Sequence, residues 1–373
     1  MFPASSFGII PCPLDDKIWR PFAERTVSVT AQLQRDADFQ EFLKILKRTG
    51  KPRYLPFYEH IATADFIARR TQTQFDAMSL DDPDYWRIYV DFWLGMGYDC
   101  IPMEIPPKFP LPEGHGGLSE GSEALVVIRT REDFEKYPWP DESAAIEFRH
   151  FETVAKLLPD GVKIVGGVSA GPYEWAARMM GTVGMSYILA DDPELAAMVF
   201  AKIGAMHHAS VRQLATMDAI GALRQGDDLG FKTSTFLRPD LLRKLVFPTY
   251  KKLVNEAHKN GKPFILHSCG NLREVYEDVI DCGIDAKHSF EDVIQPVNEF
   301  KRQYGDRLTP LGGLDVDVIC RSSLDELRAY AREKIEQCFY DGYWALGTGN
   351  SLTDYMPVEN YIAVLEEGLN VTT

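Results

Sequence analysis

From about residue 50 onward, short apolar runs ending in glycine or a polar residue alternate with longer stretches of helical periodicity. Eight such runs occur, at 53–58, 98–103, 163–168, 222–225, 263–266, 284–287, 308–311 and 343–346. The segments between them are mostly long enough to hold a helix and return to a parallel neighbour. Helix punctuation agrees. Asp192-Pro193 supplies a cap and a first-turn proline before an apolar pattern through Ala219. Pro239 opens a helix that stops at Asn260-Gly261. Ser323-Leu324-Asp325-Glu326 is a capping box for another, ending near Asp341-Gly342. Strand then helix, repeated through eight runs, predicts an α/β fold of the (β/α)8 TIM-barrel type.

The competing architecture is an open doubly wound sheet. It needs a glycine-rich phosphate loop after an early strand, and neither GxGxxG nor GxxxxGKS/T stands at such a place. Residues 1–50 precede the first strand and hold a predicted helix over 31–47, read as a helical extension packed on the barrel. Residues 51–373 are read as one catalytic domain, with the Pro- and Gly-rich stretch 106–121 as a long loop near its mouth.

Composition narrows the partners more than the fold. The formal charge is −15, and no run of Lys and Arg forms a basic stripe, so nucleic acid is not an expected partner. The same acidity disfavours an anionic membrane surface. The stretch 169–190 is interrupted by Glu174 and Arg178 and does not read as a membrane span. The first residues lack the basic and apolar regions of a signal peptide. Six cysteines, at 12, 100, 269, 282, 320 and 338, show no disulfide-framework spacing. A reducing cytoplasm is the expected setting.

Polar residues just after each run would line the mouth where barrel enzymes work. They are Glu59 and His60, Glu104, Ser169, Asp227 and Asp228, His267 and Cys269, His288 and Glu291, Asp315, Thr348 and Asn350. His267-Ser268-Cys269 is the sharpest group, since imidazole and thiolate are the usual zinc ligands; a barrel-lining histidine beside a buried thiol reads it equally well. Asp227 and Asp228, flanked by glycines, offer a general acid or an oxygen ligand, or a solvated turn capping the next helix. Asp228 is the better candidate of the two. Glu104 reads as an orienting group or base, or as the partner of a neighbouring loop. His207, His208, Cys282 and Cys338 read as packing or surface residues, as does Cys320, with the mouth as its lesser alternative.

Gly226-Asp227-Asp228-Leu229-Gly230, His267-Ser268-Cys269-Gly270-Asn271, Leu311-Gly312-Gly313-Leu314-Asp315, Gly347-Thr348-Gly349 and Pro357-Val358-Glu359-Asn360 occur in that order. As an ordered set they resemble the uroporphyrinogen decarboxylase superfamily, which includes the cobamide-dependent methyltransferases. The resemblance implies a (β/α)8 barrel. In the methyltransferase branch it implies zinc on His267 and Cys269, with a further cysteine between the last glycines, where this chain has Thr348. The third ligand must then come from Asp228, Glu104 or another group. In the decarboxylase branch it implies substrate binding by Arg53, but the segment supplying the catalytic aspartate is absent, and Met103-Glu104-Ile105 stands in that region.

The leading expectation is a methyltransferase acting on a small methylated substrate, with His288, Thr348 and Asn350 near that substrate. No Asp-x-His-x-x-Gly corrinoid motif occurs, so the cobamide would come from a partner protein. A second copy of the chain is a further candidate partner. Decarboxylation of a tetrapyrrole-like acid and non-catalytic binding are the rival readings.

Overall fold

Runs buried on both faces are stable only when strands pair on either side and helices cover the sheet. The computed structural model describes residues 32–33, 35–112, 123, 126–340 and 342–371. Its parallel sheet contains six strands, β1 Cys100–Ile105, β2 Lys163–Val168, β3 Ile220–Gly226, β4 Phe264–His267, β5 Ala286–His288 and β6 Thr309–Leu311. They neighbour one another in sequence order, with helix in every crossover, the order that successive βαβ units generate. β1 runs past its apolar run to Ile105 because Glu104 keeps register with Gly167.

The runs at 53–58 and 343–346 make single parallel bridges in place of ladders, Leu311 with Ala345 and Phe57 with Leu346. Pro56 has no N–H to give a ladder. Its carbonyl accepts from Leu346 N at 2.9 Å, and Tyr58 N donates to Leu346 O at 2.9 Å. On the other side Arg35 ties this segment to the start of β1, through Leu55 O at 2.8 Å and the Asp99 carboxylate at 3.1 Å. Phe57 and Tyr98 meet edge to face there. The result is the (β/α)8 barrel that the sequence pattern predicts.

The predicted N-terminal helix begins later than its pattern, at Phe39–Lys47, because Asp38 takes extended backbone and caps Gln40 N. It buries Phe39, Phe42, Ile45 and Leu46, and Phe42 stacks on Tyr58. Each such side chain contributes about 1.5–3 kcal/mol. Arg48 follows the helix and donates to Thr309 Oγ1 at 3.0 Å, at the start of β6. The helix therefore plugs the end of the barrel where the strands begin. Residues 1–31, most of the predicted mouth loop and Asp341 lie outside the described residues.

The other helices keep their punctuation. Asp192 caps Pro193–Ala215 and Ser323 caps Leu324–Cys338 through its capping box. The helix from Pro239 is broken at Val246 into Pro239–Leu245 and Phe247–Lys259, with Pro248 in the second first turn. Among the described residues no helix is long and apolar enough to cross a membrane.

Candidate metal centre

Strand register decides which side chains meet. Gly226, His267 and His288 end β3, β4 and β5 and are register partners across the two ladders. Partners in parallel strands send their side chains to the same face, so the two imidazoles stand side by side. Gly226 leaves room for a third. His60 lies flat against His267, ring centroids 3.7 Å apart and planes within 10°. A Cβ on Gly226 would stand 3.2 Å from the His60 ring.

Beyond β4 the chain turns at Gly270, where φ is +84° and an added Cβ would meet the Gly230 backbone at 2.1 Å. That close approach brings the loop after β3 onto the loop after β4. Cys269 N donates to Asp228 Oδ1 at 2.8 Å. Cys269 Sγ lies 3.6 Å and Asp228 Oδ1 3.7 Å from His267 Nε2. One ligand atom from each of Asp228, His267 and Cys269 lies within 4.8 Å of the others. Nitrogen, sulfur and oxygen donors gathered so closely fit a tetrahedral zinc ion. The Asp228 side chain is 40% exposed and that of His267 only 7%, so the group opens outward on its carboxylate side.

The thiol is held from two further sides. Asn350 Nδ2 donates to Cys269 Sγ at 3.4 Å, and Ser289 Oγ approaches it at 3.4 Å. Ser289 holds a φ of +105°, a conformation costing a non-glycine residue about 1–3 kcal/mol. Its hydroxyl donates to Gly349 O at 2.8 Å.

Burial, reinforced by His288, Lys287 and Arg224, holds His267 well below the usual imidazole range. The neutral ring is the metal-ligating form. Burial and the Asp228 charge push the Cys269 thiol up, so without a cation it stays protonated; a bound divalent ion reverses that preference. Burial brings Lys287 down to about 8, and its amine rests on Ser268 O at 3.2 Å.

The remaining predicted residues divide clearly. Asn350 joins the group, and His288 stands behind His267 with the two Nδ1 atoms 2.8 Å apart. Thr348 turns its side chain away: its hydroxyl donates to Glu59 Oε2 at 2.8 Å and its N–H to Glu59 Oε1. Tyr361 OH donates to the same carboxylate at 2.7 Å, and burial pushes Glu59 up to about 7. Glu104 sits deeper in the barrel, 3.7 Å from His60 Nε2 and 3.1 Å from Arg224 Nε.

Asp227 faces away from its neighbour. Its carboxylate accepts from Tyr173 N, Glu174 N and Tyr250 OH at 3.2, 3.0 and 2.8 Å, anchoring the helix Pro172–Met180. Burial pushes it up to about 7. Arg53 lies at the opposite end of the barrel, its side chain 62% exposed and paired with Asp38 and Glu41. The structure brings neither Asp227 nor Arg53 to the group.

The sequence pattern places Glu59 and His60 at the mouth without their partners, and it does not single out Ser289 or Arg224. Arg224 carried a readable signal, a charge inside a strand buried on both faces. The expected packing residues behave as such: His207 is buried between Ile203 O and Ala170 O, and Cys282 and Cys338 are buried. A cavity of about 980 Å³ opens beside Asn350, with Glu291, Asp292, Asp315, Cys320 and Tyr355 in its walls. Its walls carry the carboxylates of Glu291, Asp292, Asp315 and Asp317 and the guanidinium of Arg321.

The family model of uroporphyrinogen decarboxylase matches residues 118–368, well over half of the sequence. The chain belongs to the uroporphyrinogen decarboxylase family. The segments that supply Asp228, His267 and Cys269 both fall inside the matched region, so the donor group is built from parts of the chain that carry the family pattern. A methyltransferase from Methanosarcina mazei has a similar structure, with a TM-score of 0.66 over 89% of this chain and 98% of that one. The two sequences are 16% identical, which makes this a likeness of fold. No curated protein matches the sequence.

Proposed function

We propose that this member of the uroporphyrinogen decarboxylase family is a zinc-assisted methyltransferase. It moves a methyl group between a small methylated substrate and a corrinoid carried by a separate protein. The observation that carries this reading is the group Asp228, His267 and Cys269, with ligand atoms within 4.8 Å of one another at the end of the barrel where such enzymes work. The similar fold of a protein described as a methyltransferase supports it.

When bound, zinc would polarise the heteroatom bearing the methyl group, and the partner's corrinoid would accept that group. The chain's own residues do the holding. His267 and Cys269 form the buried side of the site, and Asp228 supplies the third ligand from its exposed side, where Thr348 cannot. An oxygen donor in place of a second thiolate leaves the ion more electrophilic. Asn350 steadies the sulfur, while Glu104 and His288 orient groups around it. Residues 51–373 act as one catalytic domain. The five described cysteines are all free, which fits a reducing cytoplasm.

The decarboxylase alternative has less support. A tetrapyrrole with many carboxylates calls for several basic residues, whereas the cavity sets Glu291, Asp292, Asp315 and Asp317 against Arg321 alone and Arg53 is paired at the far end. The test is methyl transfer from a panel of O- and N-methylated donors to cob(I)alamin, followed by the absorbance of methylcobalamin. The zinc-loaded chain should transfer methyl, and His267→Ala should not. Equal transfer by both would sink the proposal, and CO2 released from uroporphyrinogen would favour the alternative.

A further inference from the structure

We infer that His288 is a positioning residue that fixes His267 in the tautomer whose Nε2 lone pair faces Asp228 and Cys269. The inference rests on the reading of that group as a metal site and deepens it. Thr348 O is a carbonyl and can only accept, so His288 Nε2, 3.0 Å away, carries a proton and donates it. Gly312 makes room for this bond, since a Cβ there would meet Thr348 O at 2.1 Å and His288 Nε2 at 2.9 Å.

The other nitrogen of His288 must then be a lone pair. His288 is fully buried beside Lys287, whose ammonium already leans on the His288 carbonyl at 3.4 Å. A neutral imidazole carries one ring proton, and Thr348 O already takes it. His288 Nδ1 and His267 Nδ1 are 2.8 Å apart and need one proton between them. With His288 Nδ1 bare, His267 Nδ1 is the donor. His267 Nε2 is left with its lone pair directed at the space between Cys269 Sγ and Asp228 Oδ1.

Thr348 acquires a role in this arrangement that its side chain does not suggest. It is no ligand; its carbonyl ends the relay. The Glu59 carboxylate grips Thr348 through both N–H and hydroxyl and so holds that carbonyl in place. Orienting a ligand histidine through its second nitrogen is how metal sites gain affinity, and losing such a partner costs about 10–100-fold in metal binding.

The first measurement is nitrogen-15 histidine NMR of the full metal-free chain. A His267 protonated on Nδ1 supports the inference; a His267 protonated on Nε2 overturns it. The second is zinc affinity of His288→Leu and His288→Asn. The leucine variant should bind zinc about 10–100-fold more weakly, while asparagine, whose amide oxygen can accept from His267 Nδ1, should restore most of the loss. Wild-type affinity in the leucine variant overturns the inference. Should that variant fail to fold, the wild-type spectrum and the asparagine variant decide. Because the spectrum is read without metal, the expected tautomer in a chain that binds no zinc supports this inference while overturning the metal reading.

Discussion

The two ends of the barrel handle polar groups in opposite ways. Where the strands begin, Arg35 is matched by Asp99 and Arg53 by Asp38 and Glu41, and the Thr309 hydroxyl accepts from Arg48. The plug of Phe39, Phe42, Ile45 and Leu46 shuts out water. Towards the ends of the strands, buried polar atoms go without partners among the described residues, including His60 Nδ1 and Gln225 Oε1, against Arg35 Nε at the plugged end. Ser289 holds a left-handed backbone conformation in the same region. Buried unsatisfied groups and local strain are expensive, and folds retain them where a ligand or a reaction needs them. One end is built to be stable. The other gives up stability around the proposed metal group.

Damage at the two ends should therefore separate. Asp99→Ala should have the largest effect. It strands the Arg35 guanidinium, whose partner is wholly buried, and should cost about 3–5 kcal/mol in urea unfolding. The folded fraction should still bind zinc with wild-type affinity, and a loss of both properties would break the separation.

Glu59 comes next, on the mouth side. Its carboxyl is raised from 4.5 to about 7 by burial. As pH rises from about 4.5 to 7 the unfolded chain gives up this proton first, so the native state holds the excess and stability falls with pH. The decline amounts to an order of magnitude near 3 kcal/mol. Glu59→Gln should remove that slope, as read by unfolding at pH 5 and pH 8. An unchanged slope would show that Glu59 is ionised throughout.

Zinc should then add stability at the mouth. Free zinc at about 100 times its dissociation constant should raise unfolding stability by about 2.7 kcal/mol. A chelator should reverse the gain, and Cys269→Ala should abolish it while Asp99→Ala retains it. Arg53→Ala should do least, leaving zinc affinity and methyl transfer unchanged, because its partners lie at the plugged end. Loss of activity there would return Arg53 to substrate binding and revive the decarboxylase reading.

Much of this division is legible in the amino-acid sequence. The eight apolar runs located the barrel, and the residues following them located its mouth. His267 and Cys269 were visible because two ligand types stand at one strand end. Asp228, nearer the loop, is the better candidate of the acidic pair, and the structure puts the two carboxylates in different surroundings, one on the Cys269 N–H and one on a helix start. The pairings were not legible. Glu59 meets Thr348 across 289 positions, and His60 reaches His267 only once the barrel closes. Neither a run nor a motif encodes such contacts. Arg53 is a different case: it opens its apolar run, and the start of a strand points to the plugged end.

X-ray absorption at the zinc edge of the metal-loaded chain would bear hardest on the site itself. One sulfur at about 2.3 Å, with nitrogen and oxygen neighbours at about 2.0–2.2 Å, is the shell that Asp228, His267 and Cys269 would create. A shell with two sulfurs, a shell with none, or a chain that takes up no stoichiometric zinc would contradict it.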